Sequence, residues 1–341
     1  MKLVKLLLLA LGLYILWISV KTVGFEQIAS NIGELKWKLL PLLLVYPFIF
    51  AFDTIGWALA FPKKLPKQVP FHELYLIRII GETLNGIIPW AASLGGEPIK
   101  AQLLKSWHRV PLSQGYASIL IVHTTFWLSL NIFVVSAILL TLKTMPLPPL
   151  LWRSVMIFLI SLGLVAIFLV IGLHLGIFKK VHSLGESLKW WVDSSVEKEK
   201  QYVELDEQIK KFYSHDRWRF IFSVFFNFLG WFTGTFETYW IARVLDLPIS
   251  FTQAWLFEAL IQVLRIITFF IPSSIGAQEG GIILIFSQFG ISGPISLTFA
   301  VIRRVREILW IGLGLLIWSL VEDKPSLKEV KVRTPGGQPG A

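Results

Sequence analysis

Six stretches of this chain are apolar over lengths close to what a bilayer demands: Leu6–Val20, Leu39–Phe61, Gln114–Leu142, Trp152–Ile177, Phe220–Val244 and Ile295–Val321. A spanning helix needs about 20 largely apolar residues, because its backbone must be satisfied internally across the hydrocarbon. Of the 341 residues 55% are hydrophobic and 16% charged, far from the balance of a soluble domain. The expected fold class is therefore an all-α polytopic membrane protein with about six spanning helices. The chain has no Cys, which excludes disulfides and thiolate chemistry. A net charge of +10 is read as loop orientation and attraction to anionic lipid rather than to nucleic acid.

The basic start of "MKLVKLLLLALGLYILWISV" could belong to a signal peptide. No small-residue cleavage site follows, so an uncleaved first helix with a cytoplasmic amino terminus is expected. With that end inside, 21 of the 32 Lys and Arg fall on the inner side and six on the outer, as the positive-inside rule requires. Lys100 and Lys105 are counted among these inner loop charges. The asymmetry holds only if Phe71–Ile99 and Phe251–Gly290 each return to the side they left, which predicts two re-entrant broken hairpins. Between the halves, residues 181–213 place Leu184, Leu188, Trp191 and Val192, then Tyr202, Leu205, Ile209 and Phe212, at helical spacing. This predicts an amphipathic cytoplasmic segment, on the membrane surface or folded on itself. Residues 323–341 are expected to be a disordered tail, leaving 1–322 as a single transmembrane domain.

The two broken regions match each other. "IIPWAASLGGEPIK" parallels "FIPSSIGAQEGGII", with Pro89 opposite Pro272 and Glu97 opposite Glu279. Phe71 and Phe251, Pro111 and Pro294, and Trp127 and Trp310 recur at nearly the same offset. An internal duplication follows, with repeat 1 over about 39–142 and repeat 2 over about 220–321. Trp152–Ile177 adds one crossing between them, so repeat 2 is inverted. Inverted repeats whose broken helices meet near the midplane are a transporter architecture, and the breaks mark the site. Pro89, Gly95, Gly96, Pro272, Gly276 and Gly280 are the expected structural breaks.

Charges at membrane depth are costly and tend to face a partner or a cavity. Arg78, Glu82 and Asn85 share one helix face, as do Glu258, Gln262 and Arg265. "RRVRE", near the outer end of the last helix, offers Arg303 to pair with Glu307 at i, i+4. That would leave Arg304 and Arg306 to hold an anionic group, for which a guanidinium is well suited. Glu97, Gln278 and Glu279 complete the expected substrate site. Each feature has a plainer reading. The stripes can be ion pairs that hold helices together, the three arginines can snorkel to headgroups, and His123 can be a hydrogen-bonded core residue. No metal-ligand spacing, P-loop or dinucleotide motif occurs, and no cofactor is expected.

"GETLNGIIPWAASLGGEPIKAQLL", "IPSSIGAQEGGIILIFSQFGIS" and "FAVIRRVRE" together resemble the flippase-like transmembrane family, which includes the membrane half of lysylphosphatidylglycerol synthases. The "PSSIGAQEGG…RRVRE" form is most similar to the hopanoid-biosynthesis-associated membrane proteins of that family. The resemblance covers about Leu3 to Glu322. It implies paired re-entrant helices in a bacterial inner-membrane protein that moves or handles a polar-headed lipid. About 20 residues follow the last helix, too few for an aminoacyl-transferase domain, so transfer of lysine from tRNA is not expected. The expected function is lipid translocation by alternating access without ATP. Arg78, Arg265, Arg304 and Arg306 would contact the headgroup. Glu97 and Glu279 would order the broken backbone or carry coupling protons. A membrane-embedded lipid-modifying enzyme with Glu97 or Glu279 as general base, and a scaffold for lipid-synthesis enzymes, are the alternatives.

Overall fold

The computed structural model describes residues 36–62, 65–87, 95–141, 147–174, 196–268 and 276–321, together with Tyr14, Trp17 and Ser274. Among these there are ten α-helices and no strands. They are α1 (Leu39–Leu59), α2 (Phe71–Ile87), α3 (Glu97–His108), α4 (Leu112–Thr141), α5 (Pro149–His174), α6 (Val196–His215), α7 (Arg217–Val244), α8 (Phe251–Ile267), α9 (Ala277–Ser287) and α10 (Gly293–Leu320). Five of the six apolar stretches read from the sequence become α1, α4, α5, α7 and α10, with ends within a few residues of those expected. The sixth, Leu6–Val20, lies outside the described residues apart from Tyr14 and Trp17, as do residues 181–195 and the tail.

Helix boundaries follow local chemistry. Ser250 starts α8 with a reciprocal cap: its Oγ accepts from Gln253 N at 3.3 Å, and Gln253 Oε1 accepts from Ser250 N at 2.8 Å. Pro294 stands in the first turn of α10, where no N–H is needed. α3 ends where Arg109 turns left-handed, with φ 57°.

Among the described residues, two helices, Leu40–Leu59 and Leu112–Thr141, are by length and apolarity alone suited to crossing a membrane. The distribution of side chains carries more weight. Leu40, Leu44, Phe48, Ile157, Phe225 and Leu316 are exposed, whereas Arg78, Lys100, Glu237, Glu258, Arg303 and Arg306 are buried. An apolar exterior around a charged interior reverses the soluble pattern and suits a lipid solvent.

α1, α4 and α7 form the centre, joined by short polar side chains. Ser223 Oγ donates to Gly56 O at 2.9 Å, and Asn227 Nδ2 donates to Thr125 Oγ1 at 3.0 Å. Trp57 Nε1 donates to Ser118 Oγ at 3.1 Å, and Trp231 Nε1 to Ser129 Oγ at 3.2 Å. Small polar residues let apolar helices approach closely and bond across the gap. Near its other end α1 meets α7 again, where Trp240 Nε1 donates to Lys38 O at 2.9 Å. The pairs Gly56–Ser223 and Lys38–Trp240 run in opposite directions, so α1 and α7 are antiparallel.

The apolar core divides in two. One part gathers Trp57, Leu74, Ile80, Leu104 and Ile121 around α2 and α3. The other gathers Phe133, Phe257, Ile261, Phe286 and Phe299 around α8 and α9. α6 buries Leu205, Ile209 and Phe212 in the first part, and Tyr213 and Thr124 share a hydroxyl hydrogen bond at 2.5 Å. The second half of the amphipathic segment therefore lays its apolar face on the protein.

Candidate functional site

α2 with α3, and α8 with α9, form two broken pairs, and each carries a network of charges. In the first, α2 and α3 pack closely enough that a Cβ on Gly96 would meet the Gly81 backbone. Arg78 bridges Asp53 of α1 (Nη2 to Oδ2, 3.1 Å) and Glu82 one turn along (Nε to Oε1, 3.4 Å). Lys100 reaches Glu82 Oε1 at 2.7 Å and Glu97 Oε1 at 2.8 Å. Asn85 joins the two helices: its Nδ2 donates to Glu97 Oε1 at 3.0 Å, and its Oδ1 accepts from Gly96 N at 2.7 Å. From α4, His123 Nε2 stands 3.5 Å from the same Glu97 oxygen.

The second network is built on α10. Arg303 grips Glu258 with two nitrogens, Nη1 to Oε2 at 2.6 Å and Nη2 to Oε1 at 3.3 Å, and also donates to Thr238 Oγ1 at 2.8 Å. Gln262 Nε2 donates to Glu258 Oε1 at 2.5 Å. Arg304 donates through Nε to Glu279 Oε1 at 2.6 Å and through Nη1 to Glu307 Oε2 at 2.7 Å. Arg265 closes on Glu307 Oε1 at 3.4 Å. Arg306 pairs with Glu237 of α7 at 2.9 Å, and its guanidinium carbon lies 4.0 Å from the centre of the Tyr46 ring.

Glu279 also shapes the break. Its Oε2 accepts from Gly276 N at 2.8 Å, at the open start of α9, and a carboxylate there is favoured by the unpaired N–H groups and the helix dipole. Gly276 has φ 77°, a conformation in which glycine lacks the Cβ clash. Gly280 donates its N–H to Gly276 O in the first turn. Gln278 is buried with no hydrogen-bond partner for its Oε1. Gly95 lies in the turn before α3, while Pro89 and Pro272 fall outside the described residues.

The structure thus brings the expected polar residues into two clusters and corrects three sequence readings. Arg303 does not pair with Glu307; Glu258 offers it a two-atom contact that the helix neighbour cannot match. "RRVRE" lies in the body of α10, well inside its 28 residues, and Arg303, Arg304 and Arg306 are buried, so none snorkels to a headgroup. Lys100 is not a loop charge but a buried member of the first network. Lys105 remains exposed. Sequence reasoning missed Asp53 and Glu237, the carboxylates that α1 and α7 contribute. The signal was present: each is a lone acid within an apolar run, and the two stand 184 positions apart, close to the offset of the other matched pairs.

Two side chains of the networks open outward in this conformation. The Glu82 side chain is 32% exposed and the Arg265 side chain 40%. Each belongs to a different half.

Comparison with known proteins identifies the chain as one of a membrane-protein family. A UPF0104 membrane protein of Methanothermobacter thermautotrophicus is 21% identical over 319 residues, spanning 88% of this chain and 90% of its own. No solved structure matches the chain. The model of the lysylphosphatidylglycerol synthase TM region matches residues 3–315, nearly the whole chain. The protein is a membrane protein and belongs to the lysylphosphatidylglycerol synthase TM region family.

Proposed function

We propose that the protein moves a polar-headed lipid, of the hopanoid, phospholipid or glycolipid kind, across or within the cell's inner membrane. One observation carries the reading: each half buries a charged network at the break of its helix pair, in a molecule whose outside is apolar. Charges at that depth need a partner or a task. Glu82 and Arg265 give a headgroup its first contact, one in each half. Arg78, Arg304 and Arg306 then contact it by exchanging carboxylate partners as the halves move. The antiparallel packing of α1 on α7 supports an inverted repeat, with α2–α3 re-entering from the inside and α8–α9 from the outside. About six spans, a cytoplasmic amino terminus and a single domain over 1–322 complete the proposal.

Catalysis is the weaker reading. The Glu97 oxygen accepts from two donors, Asn85 and Lys100, with His123 Nε2 3.5 Å away, which is poor provision for a general base that must take a proton from substrate.

Reconstitution tests the proposal. The wild-type protein is placed in vesicles with fluorescent lipids bearing anionic, zwitterionic or polyhydroxylated heads, and the loss of outer-leaflet signal to an impermeant quencher is followed. Movement of at least one class above the rate of protein-free vesicles is expected. Rates equal to protein-free vesicles for every class would leave the scaffold reading in its place.

A further inference from the structure

The two networks differ in charge. The second holds Glu237, Glu258, Glu279 and Glu307 against Arg265, Arg303, Arg304 and Arg306, and is balanced without any proton. Among the described residues, the first holds Asp53, Glu82 and Glu97 against Arg78 and Lys100. Counted over the described residues, one carboxylate is in excess at a depth where an unpaired charge is costly.

His123 stands where the missing charge would go, beside Glu97. It occupies the position that matches Arg306 in the second half, 183 residues on. One half has a permanent cation there and the other an imidazole, which is charged only when it holds a second proton. The His123 side chain is 23% exposed, whereas Lys100 is sealed.

Glu97 links three elements through one oxygen: Asn85 on α2, Lys100 on its own helix and His123 on α4. The other groups around the cluster leave this assignment in place. Asp53 of α1 is taken by Arg78, and Glu82 by Arg78 and Lys100. α7 presents Ser223 and Asn227 there, which do not titrate. α6 brings Tyr213 onto Thr124 beside His123, and carries the buried Asp206 further along. α10 meets α2 through Gly314 against Thr83, while its charges and Glu258 of α8 belong to the second network.

We propose that His123 and Glu97 form a proton site that latches α4 to the first broken pair, and that release of this proton frees the pair to move. With the proton, the imidazolium–carboxylate contact completes the charge balance and holds α3. Loss of the proton to water leaves neutral imidazole beside an anion, and α3 is released. The latch is therefore strongest at low pH and weakens as pH rises. It deepens the lipid-transport reading by naming its coupling ion, yet the latch itself can be measured without transport.

Amide hydrogen exchange of the full-length protein in lipid nanodiscs, corrected for intrinsic exchange, reads the opening of α3 between pH 5.5 and 8. An opening that releases one proton becomes more frequent by up to about tenfold per pH unit, and this rise is expected in the wild type. His123→Arg keeps a permanent cation, so α3 stays protected at every pH. His123→Gln cannot carry the charge, so α3 is weakly protected at every pH. Retention of the wild-type slope in both variants would overturn the proposal, as would a flat wild-type profile. A slope that survives in His123→Gln but disappears in Asp53→Asn would place the proton on the carboxylate of α1, and overturn the assignment to His123. If no lipid moves in any vesicle but the slope follows His123, the transport reading fails and the proton site stands. If lipid moves and the slope is absent, the reverse holds.

Discussion

Arg304 and Glu279 meet across the second break, Nε to Oε1 at 2.6 Å, while the other oxygen of Glu279 holds the start of α9 through Gly276 N at 2.8 Å. One carboxylate thus joins the N-terminus of a short helix to the middle of a long one. Pulling Arg304 toward another anion would release α9 from α10, so headgroup binding and movement of the broken pair can share one contact.

Arg303 and Glu258 should be the stability centre of the same half. Both are buried and joined through two atom pairs. Glu258→Ala leaves an unpaired buried guanidinium and is expected to cost roughly 3–5 kcal/mol. Arg303→Lys keeps the charge but loses the two-atom contact, at about 1.5–3 kcal/mol. Thermal unfolding of purified protein in detergent should place both below wild type, with Glu258→Ala lower. Equal melting of Arg303→Lys and wild type would mean that the two-atom geometry contributes nothing.

Gly276 is constrained by its backbone, since no side chain crowds it but its φ is 77°. Gly276→Val should destabilise by about 1–3 kcal/mol and lower the yield of monodisperse protein. Gly280→Ala, one turn along in α9 with open space around it, should leave yield and melting close to wild type. Equal losses in the two variants would argue against the positive φ as the cause.

Topology can be labelled directly, because the chain has no native Cys. Lys38, at the start of α1, lies beside the end of α7 through Trp240, and Lys67 lies in the turn before α2. In the proposed orientation an impermeant maleimide reaches Lys38→Cys only from outside and Lys67→Cys only from inside. Labelling of both from one face would contradict a single crossing by α1.

Much of the fold was legible because each apolar run had to satisfy its own backbone. The ends of α1, α4, α5, α7 and α10 followed from that requirement, and Arg78, Glu82 and Asn85, placed on one face by helix periodicity, stand together with Glu97 from the repeated motif. Partner choice was not legible. Local spacing offered Glu307 to Arg303, but Glu258, 45 residues away, gave the better contact. Lys100 fitted the rule for inner loops, and nothing local revealed that Gly81 makes room for its stem. Asp53 and Glu237 were hidden by the apolar runs around them, although a lone carboxylate in such a run is itself a signal.

The most direct test of lipid movement at these networks is Glu279→Gln in reconstituted vesicles, with the lipid class that the wild type moves. The substitution keeps size and one acceptor but removes the charge that Arg304 and the start of α9 share. The account predicts that lipid movement falls to the protein-free rate at every pH, while the protein remains monodisperse and helical. Movement at the wild-type rate across the pH range would contradict it, and would reduce Glu279 to a helix cap.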